Sequence, residues 1–203
     1  MAELKVPFLR VSIGEQEVDE VLATLRSGWL TSGPRVQRFE REFASAVGGT
    51  YAIGLNSCTA ALHLAIEALG LKAGQGVLVP TMTFAASAEV VRYLGAIPIL
   101  VDCDPVTANM NLDDAEEIAV RQRGKLHGIV PRDTQVVGII PVHIGGMLMD
   151  VGAVQRFAEK HNLWIVEDAA HAFPAAWRSR SDEPWQQCGK DTAAVSCLFI
   201  LRK

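Results

Sequence analysis

Three places in this sequence carry residue types that could hold a ligand. The first is Asp168, where the apolar run Leu163-Trp-Ile-Val166 breaks into Glu167 and Asp168, with His171 close behind. A short apolar run bounded by polar residues reads as a buried strand of a parallel sheet. In open α/β sheets, ligands bind outside the carboxyl ends of the strands. An acid at such an end can meet a ligand, and it can equally cap the next turn. The second place is Asn56-Ser-Cys-Thr-Ala-Ala-Leu62, small and hydroxyl residues at a strand-to-helix junction. Such a junction leaves backbone N–H groups available at the helix start, which suits an anion and phosphate in particular. Plain N-capping by Ser57 or Thr59 is the commoner use of the same residues. The third place is Phe84, an aromatic just beyond the apolar run that ends at Pro80; it can stack on a flat ligand or belong to the core. His63 and Glu67 lie four apart on one helical pattern and read as a surface pair rather than metal ligands.

The elements that must position these residues follow from periodicity. Val18, Val21, Leu22 and Leu25 predict a helix over Gly14 to Ser27, and Gly28 to Pro34 is a loop punctuated by Gly and Pro. Helical spacing returns from Pro34 to Val47, and Tyr51 to Leu55 reads as a short strand. Leu62, Ile66 and Leu69 mark the next helix, with Gly70 as its stop. Gly74 to Gly76 is a turn before the strand Val77 to Pro80. Thr81 to Ser87 leads into a helix that ends at Gly95, and Ala96 to Val101 is a strand closed by Asp102-Cys-Asp104. Asn111 to Arg123 is a helix with an acidic start, which suits the helix dipole. Val136 to Val142 is a strand, followed by His143-Ile-Gly-Gly146 and a helix over Asp150 to His161. Gly189 to Ile200 returns to a strand. Strand and helix alternate throughout, so the expected fold is α/β: three αβα layers around a mostly parallel sheet with right-handed crossovers. No Gly-x-Gly-x-x-Gly follows a strand and there is no Walker loop, which disfavours a nucleotide-binding Rossmann site.

Composition narrows the function classes. The 203 residues are 49% hydrophobic and 21% charged, enough for a sizeable core. A net charge of -4 and a pI near 5.7 make no electrostatic case for nucleic acid. Met1 to Arg10 has no apolar signal-peptide core, and no apolar run approaches the roughly 18 residues that span a membrane, so a cytoplasmic location is the default expectation. Cys58, Cys103, Cys188 and Cys197 form no Cys-x-x-Cys pair, so no zinc or redox motif is expected; they read as reduced, mostly buried thiols.

Taken together, an anion cradle, an aromatic beyond a strand and an acid at a strand end match the three fixtures of a pyridoxal 5'-phosphate (PLP) site. The sequence resembles the DegT/DnrJ/EryC1/StrS sugar aminotransferases, of PLP fold type I, from about Val6 to Cys197. The resemblance is carried by Leu30-Thr-Ser-Gly33, Arg38-Phe-Glu-Arg-Glu-Phe43, Ser57-Cys-Thr-Ala-Ala-Leu-His-Leu64, Pro80-Thr-Met-Thr-Phe84, Gly95-Ala-Ile-Pro98, Val142-His143 and Glu167-Asp-Ala-Ala-His-Ala172. It implies that the helix start at Cys58, Thr59 and Ala60 holds the cofactor phosphate, with the Thr59 and Ala60 backbone N–H groups as donors. Phe84 would stack on the pyridine ring, Asp168 would pair with the ring nitrogen, and His171 would lie near the ring's 3-oxygen. It further implies a nucleotide-sugar substrate facing the Trp29 to Pro34 loop, an amino-acid donor, usually glutamate, a place in polysaccharide biosynthesis, and a homodimer.

The C-terminal end departs from the family pattern. In the family a Phe-Ser-Phe-like segment is followed, five positions after its serine, by the lysine that forms the Schiff base. Here Val195-Ser-Cys197 runs into Leu198-Phe-Ile-Leu-Arg-Lys203, which puts Phe199 in the serine's place and the lysine position one beyond Lys203. The expectation is that residues 1–203 are the N-terminal part of a PLP aminotransferase large domain, cut short by a frame change or truncation. The remaining strands, the small C-terminal domain and a catalytic residue would then be missing. The alternatives are a non-catalytic fragment or pseudoenzyme, and a PLP-dependent sugar dehydratase relative.

Overall fold

A computed structural model describes residues 11–121, 130, 131, 134–178, 180–188, 196 and 197. Lys203, Phe199 and most of the strand expected over Gly189 to Ile200 lie outside the described residues. The chain opens with helices α1 (Glu15–Ser27), α2 (Pro34–Val47) and α3 (Cys58–Ala68). Strand β1 (Gly76–Pro80) then leads through α4 (Ala86–Tyr93) to β2 (Ile97–Val101), and α5 (Leu112–Arg121) leads to β3 (Val136–Ile139). Helix α6 (Val151–His161) is followed by the short strands β4 (Trp164–Ile165), β5 (Glu167–Asp168), β6 (Ala176–Trp177), β7 (Gln186–Gln187) and β8 (Ser196–Cys197). No described helix is long and apolar enough to cross a membrane.

The helix boundaries follow local chemistry. Pro34 opens α2, where its missing N–H costs nothing. Asp150 caps α6, its Oδ1 accepting from the Ala153 N–H at 2.9 Å. Ser57 caps α3 in the same way. Gly48, with φ +68°, ends α2 in the left-handed conformation that a side chain resists.

The main sheet has the order β2-β1-β3-β4, all parallel, with Leu78 opposite Ile99 on one side and Ile139 on the other. Alternate residues of its strands enter two cores. Val77, Val79, Ile140 and Val166 pack with Leu62 and Ile66 of α3 and Val90 and Val91 of α4. Leu78, Ile99, Ile139 and Ile165 pack with Ala115 of α5 and Val154, Phe157 and Ala158 of α6. Period-two alternation over a buried sheet therefore produces the expected three layers, each fully buried aliphatic side chain contributing about 1.5–3 kcal/mol.

Four details correct the expectations. Tyr51 to Leu55 forms no strand: Tyr51 and Ile53 are exposed, and the Gly54 N–H donates to Glu40 Oε1 at 2.8 Å, a side-chain acceptor on α2 in place of a ladder partner. The strand at Leu163 does not end before the acids. Glu167 and Asp168 are themselves ladder residues, parallel to Ser196 and Cys197, and Asp168 also bridges Val142. His63 meets the ring of Tyr93 edge-on, centroids 5.5 Å apart, and forms no ion pair with Glu67. Cys58, Cys103 and Cys188 form no disulfide, and of these three only Cys188 is buried; Cys58 and Cys103 are half-buried.

Candidate functional site

Asp168 occupies the carboxyl end of β5, where its backbone is pinned to the segment around Val142. Its N–H donates to the Pro141 carbonyl at 2.9 Å, and its carbonyl accepts from the His143 N–H at 3.1 Å. The side chain is only 6% exposed and turns toward the layer of α3 and α4. There Oδ2 accepts from Ser87 Oγ at 2.9 Å, and Oδ1 accepts from the Ala170 N–H at 3.2 Å and from the Cys58 thiol at 3.6 Å. All three partners donate and all are neutral. The group is thus an acceptor only, as an ionised carboxylate is. Among the described residues no Lys, Arg or His pairs with it.

The Cys58 contact brings the start of α3 to this strand end. In its first turn Ser57 Oγ accepts from the Ala60 N–H at 3.1 Å, and the Ser57 carbonyl accepts from the Ala61 N–H at 3.1 Å. The capping reading of this junction is the one the structure displays. Ser57 caps the helix, and the Thr59 N–H, within the first four positions, has no acceptor inside the helix. Of the two expected amide donors, Ala60 is already engaged by the cap. The positive end of the helix dipole faces the same space.

Phe84 follows β1 at the same edge of the sheet. Its carbonyl accepts from the Ser87 N–H at 3.1 Å, and its side chain is 77% exposed. Its link to Asp168 runs through Ser87, which contacts both the Phe84 carbonyl and the Asp168 carboxylate. His171 lies three residues after Asp168, and its Nδ1 accepts from the Gly145 N–H at 3.4 Å. That bond leaves the proton of the neutral ring on Nε2, as a donor. A Cβ on Gly146, whose φ is +85°, would stand 3.1 Å from the His171 carbonyl, so the turn after β3 is kept small against this residue. Trp29 folds back on its own loop, its Nε1 donating to the Ser32 carbonyl at 3.0 Å, and no described contact joins that loop to Asp168.

A second cluster lies on the opposite face of β5, because adjacent strand residues point to opposite sides. His143, Glu167 and Cys188 are all buried, and their ligand-type atoms lie within 4.8 Å of one another. His143 Nδ1 accepts from the Met149 N–H at 3.2 Å, which leaves the proton on Nε2, 3.3 Å from Glu167 Oε2. Burial, and then the charge of Glu167, push the Cys188 thiol up to about 12. A cation held there would have to displace the thiol proton and the proton on Nε2. His143 and Glu167 form a buried hydrogen-bonded pair on this face, with the Cys188 thiol beside it.

Sequence reasoning singled out Cys58, Thr59, Ala60, Phe84, Asp168 and His171, and contacts at the C-terminal edge of the sheet link the elements that carry them. It passed over Ser87 and the buried cluster that includes His143 and Cys188. Ser87 was detectable: it shares a helical stripe with Val90 and Val91, and a hydroxyl on a buried stripe needs a partner.

Comparison with known proteins identifies the family and bears out the fold. The model of the DegT/DnrJ/EryC1/StrS aminotransferase family matches residues 11–196. The chain is 40% identical over 176 residues to the spore coat polysaccharide biosynthesis protein SpsC of Bacillus subtilis, covering 86% of this chain and 42% of SpsC. Among solved structures it matches DesV of S. venezuelae at 32% identity and a TM-score of 0.72, covering 87% of this chain and 43% of DesV. It also matches an aminotransferase from Psychrobacter cryohalolentis at 33% identity and a TM-score of 0.72, covering 84% and 40%. A Streptococcus pneumoniae protein solved in its PMP form gives a TM-score of 0.75 at 31% identity, covering 88% and 46%. The chain thus spans less than half the length of each of these relatives.

Proposed function

This chain belongs to the DegT/DnrJ/EryC1/StrS aminotransferase family, and from that premise we propose that residues 1–203 are large-domain sequence of a PLP-dependent aminotransferase that aminates a nucleotide-linked keto-sugar. The observation that carries the proposal is Asp168. Among the described residues this buried carboxylate is served only by neutral donors and lacks the opposite charge that burial ordinarily demands. A protonated ring nitrogen supplies that charge. The residues around it fit the rest of the cofactor, with an amide donor at a helix start for the phosphate and an open aromatic face at Phe84 for the ring. Structures of the Streptococcus pneumoniae relative in PLP and PMP forms support the choice of cofactor.

In this reading Thr59 donates its N–H to the phosphate, and Ala60 joins it by exchanging Ser57 Oγ for a phosphate oxygen. Cys58, in the same turn, lies between that cradle and Asp168. Phe84 covers one ring face. Asp168 keeps the ring nitrogen protonated, and His171 offers Nε2–H to the ring's 3-oxygen. When bound, PLP supplies the electron sink for the carbanion that transamination requires.

The whole protein would take its amino group from an amino acid, with glutamate as the donor, and serve polysaccharide biosynthesis, as the name of SpsC suggests for that relative. The open apolar residues Val18, Val21 and Leu25 on α1 support a homodimer in which they are covered. Thiols outside any disulfide support a reducing, cytoplasmic location.

The test uses protein produced from the intact gene, with PLP, glutamate and a panel of nucleotide-linked keto-hexoses. The expected result is 2-oxoglutarate in step with an aminated sugar nucleotide seen by mass spectrometry. Asp168→Ala should abolish turnover with the circular dichroism spectrum unchanged. Normal turnover in that variant, or no transfer to any keto-sugar, would overturn the proposal.

A further inference from the structure

We propose that Ser87 is a positioning residue that fixes how the Asp168 carboxylate is turned toward the cofactor ring, a role that rests on the reading of Asp168 given above. Ser87 is fully buried, so it cannot itself touch a ligand in the cleft. Its hydroxyl carries one proton and has three oxygen neighbours. They are Thr83 Oγ1 at 2.7 Å, Asp168 Oδ2 at 2.9 Å and the Phe84 carbonyl at 3.3 Å. The charged acceptor forms the stronger bond and is nearer than the carbonyl, so the proton goes to Asp168. Thr83 must then donate to Ser87. The result is a directed relay from Thr83 through Ser87 to Asp168.

That relay matters because the final torsion of an aspartate side chain is soft, with broad minima. The contacts at Oδ1 are longer, 3.2 Å to the Ala170 N–H and 3.6 Å to a thiol, and a thiol is a weak donor. Ser87 therefore makes the short bond that sets the plane of the carboxylate. The same residue is tied by its N–H to the Phe84 carbonyl at 3.1 Å. It thus couples the segment that carries the stacking ring to the strand that carries the acid, across 81 positions of sequence. A binding constellation needs this kind of support to hold its geometry within about 0.5 Å.

The test is a binding comparison that isolates the ring nitrogen. Protein from the intact gene is titrated with pyridoxamine phosphate and with its 1-deaza analogue, in which C–H replaces that nitrogen. The unaltered protein should prefer pyridoxamine phosphate, and Asp168→Asn should erase the preference. Ser87→Ala should weaken pyridoxamine phosphate binding about tenfold and leave the deaza analogue within about twofold, as loss of one hydrogen bond to a charged group implies. Thr83→Val, which removes the head of the relay, should shift the same ratio in the same direction by less, and it decides the matter if Ser87→Ala does not fold. A preference that survives Ser87→Ala but is lost in Asp168→Asn overturns the role of Ser87 alone. Equal losses for both ligands in Ser87→Ala overturn it too, since they mark general damage to the pocket. A preference that survives Asp168→Asn overturns the reading of Asp168, and this proposal with it.

Discussion

The Cys58 thiol lies 3.6 Å from Asp168 Oδ1 although 110 positions of sequence separate the two residues. The contact joins the first turn of α3, the proposed phosphate cradle, to the acid at the end of β5. It also makes Cys58 a reporter for the cleft. Half-buried Cys58 should be alkylated by iodoacetamide in the native protein, and saturating PLP should slow that reaction at least severalfold. Peptide mass spectrometry follows the label. Equal rates with and without PLP would separate Cys58 from the cofactor site.

Cys188 should behave in the opposite way. Its thiol is pushed up to about 12 by burial and then by the charge of Glu167, so at pH 8 only about one molecule in ten thousand carries the thiolate that reacts. It should stay unlabelled at pH 8 until the protein is unfolded. The same shift predicts a pH effect on stability. The folded state holds this proton more tightly than the unfolded state, whose thiol titrates near 9. Stability is therefore fully present below about pH 9 and falls as pH rises from 9 toward 12. Urea midpoints measured over pH 8 to 11 should decline, and Cys188→Ala should flatten that decline.

Ser57→Ala separates the two readings of the α3 start. Loss of the cap should cost about 1 kcal/mol, read from urea unfolding. In the proposed site the phosphate is held by backbone donors, and the substitution releases the Ala60 N–H from its side-chain acceptor. Affinity for pyridoxamine phosphate should accordingly fall by no more than about twofold. A loss of more than tenfold would show that the Ser57 hydroxyl itself contacts the phosphate.

Glu167→Ala tests the buried pair with His143. It strips His143 Nε2–H of its acceptor in a site where both residues are buried, and an orphaned buried polar group costs about 1–3 kcal/mol. Thermal or urea unfolding should register that loss. The unaltered protein, dialysed against zinc and then against buffer, should retain no stoichiometric metal by elemental analysis. Retained zinc that disappears in Cys188→Ala would mean that the cluster is a metal site after all.

Much of this architecture is legible in the residues alone. Val77 to Val79, Ile139 and Ile165 are apolar because both faces of a parallel strand are covered, and Val90 with Val91 or Val154 with Phe157 mark helices by spacing that survives any packing detail. The family motifs around Thr59, Phe84 and Asp168 are local strings, so they too can be read without coordinates, as can the positions where helices stop. What the sequence could not decide is pairing between distant segments. Tyr51 to Leu55 has a strand's composition but has no ladder partner among the described residues, and strands exist only as ladders. Glu167 and Asp168 look like the end of a strand, yet Val142 on one side and Ser196 with Cys197 on the other extend the ladder through them. Whether Ala60 offers its N–H or gives it to Ser57 depends on a side-chain torsion. The placement of Ser87 and Cys58 on the two oxygens of Asp168 depends on how α3 and α4 cross the sheet. Such relations are set by packing geometry, which no single stretch of sequence encodes, and in this protein they determine how the Asp168 carboxylate is held.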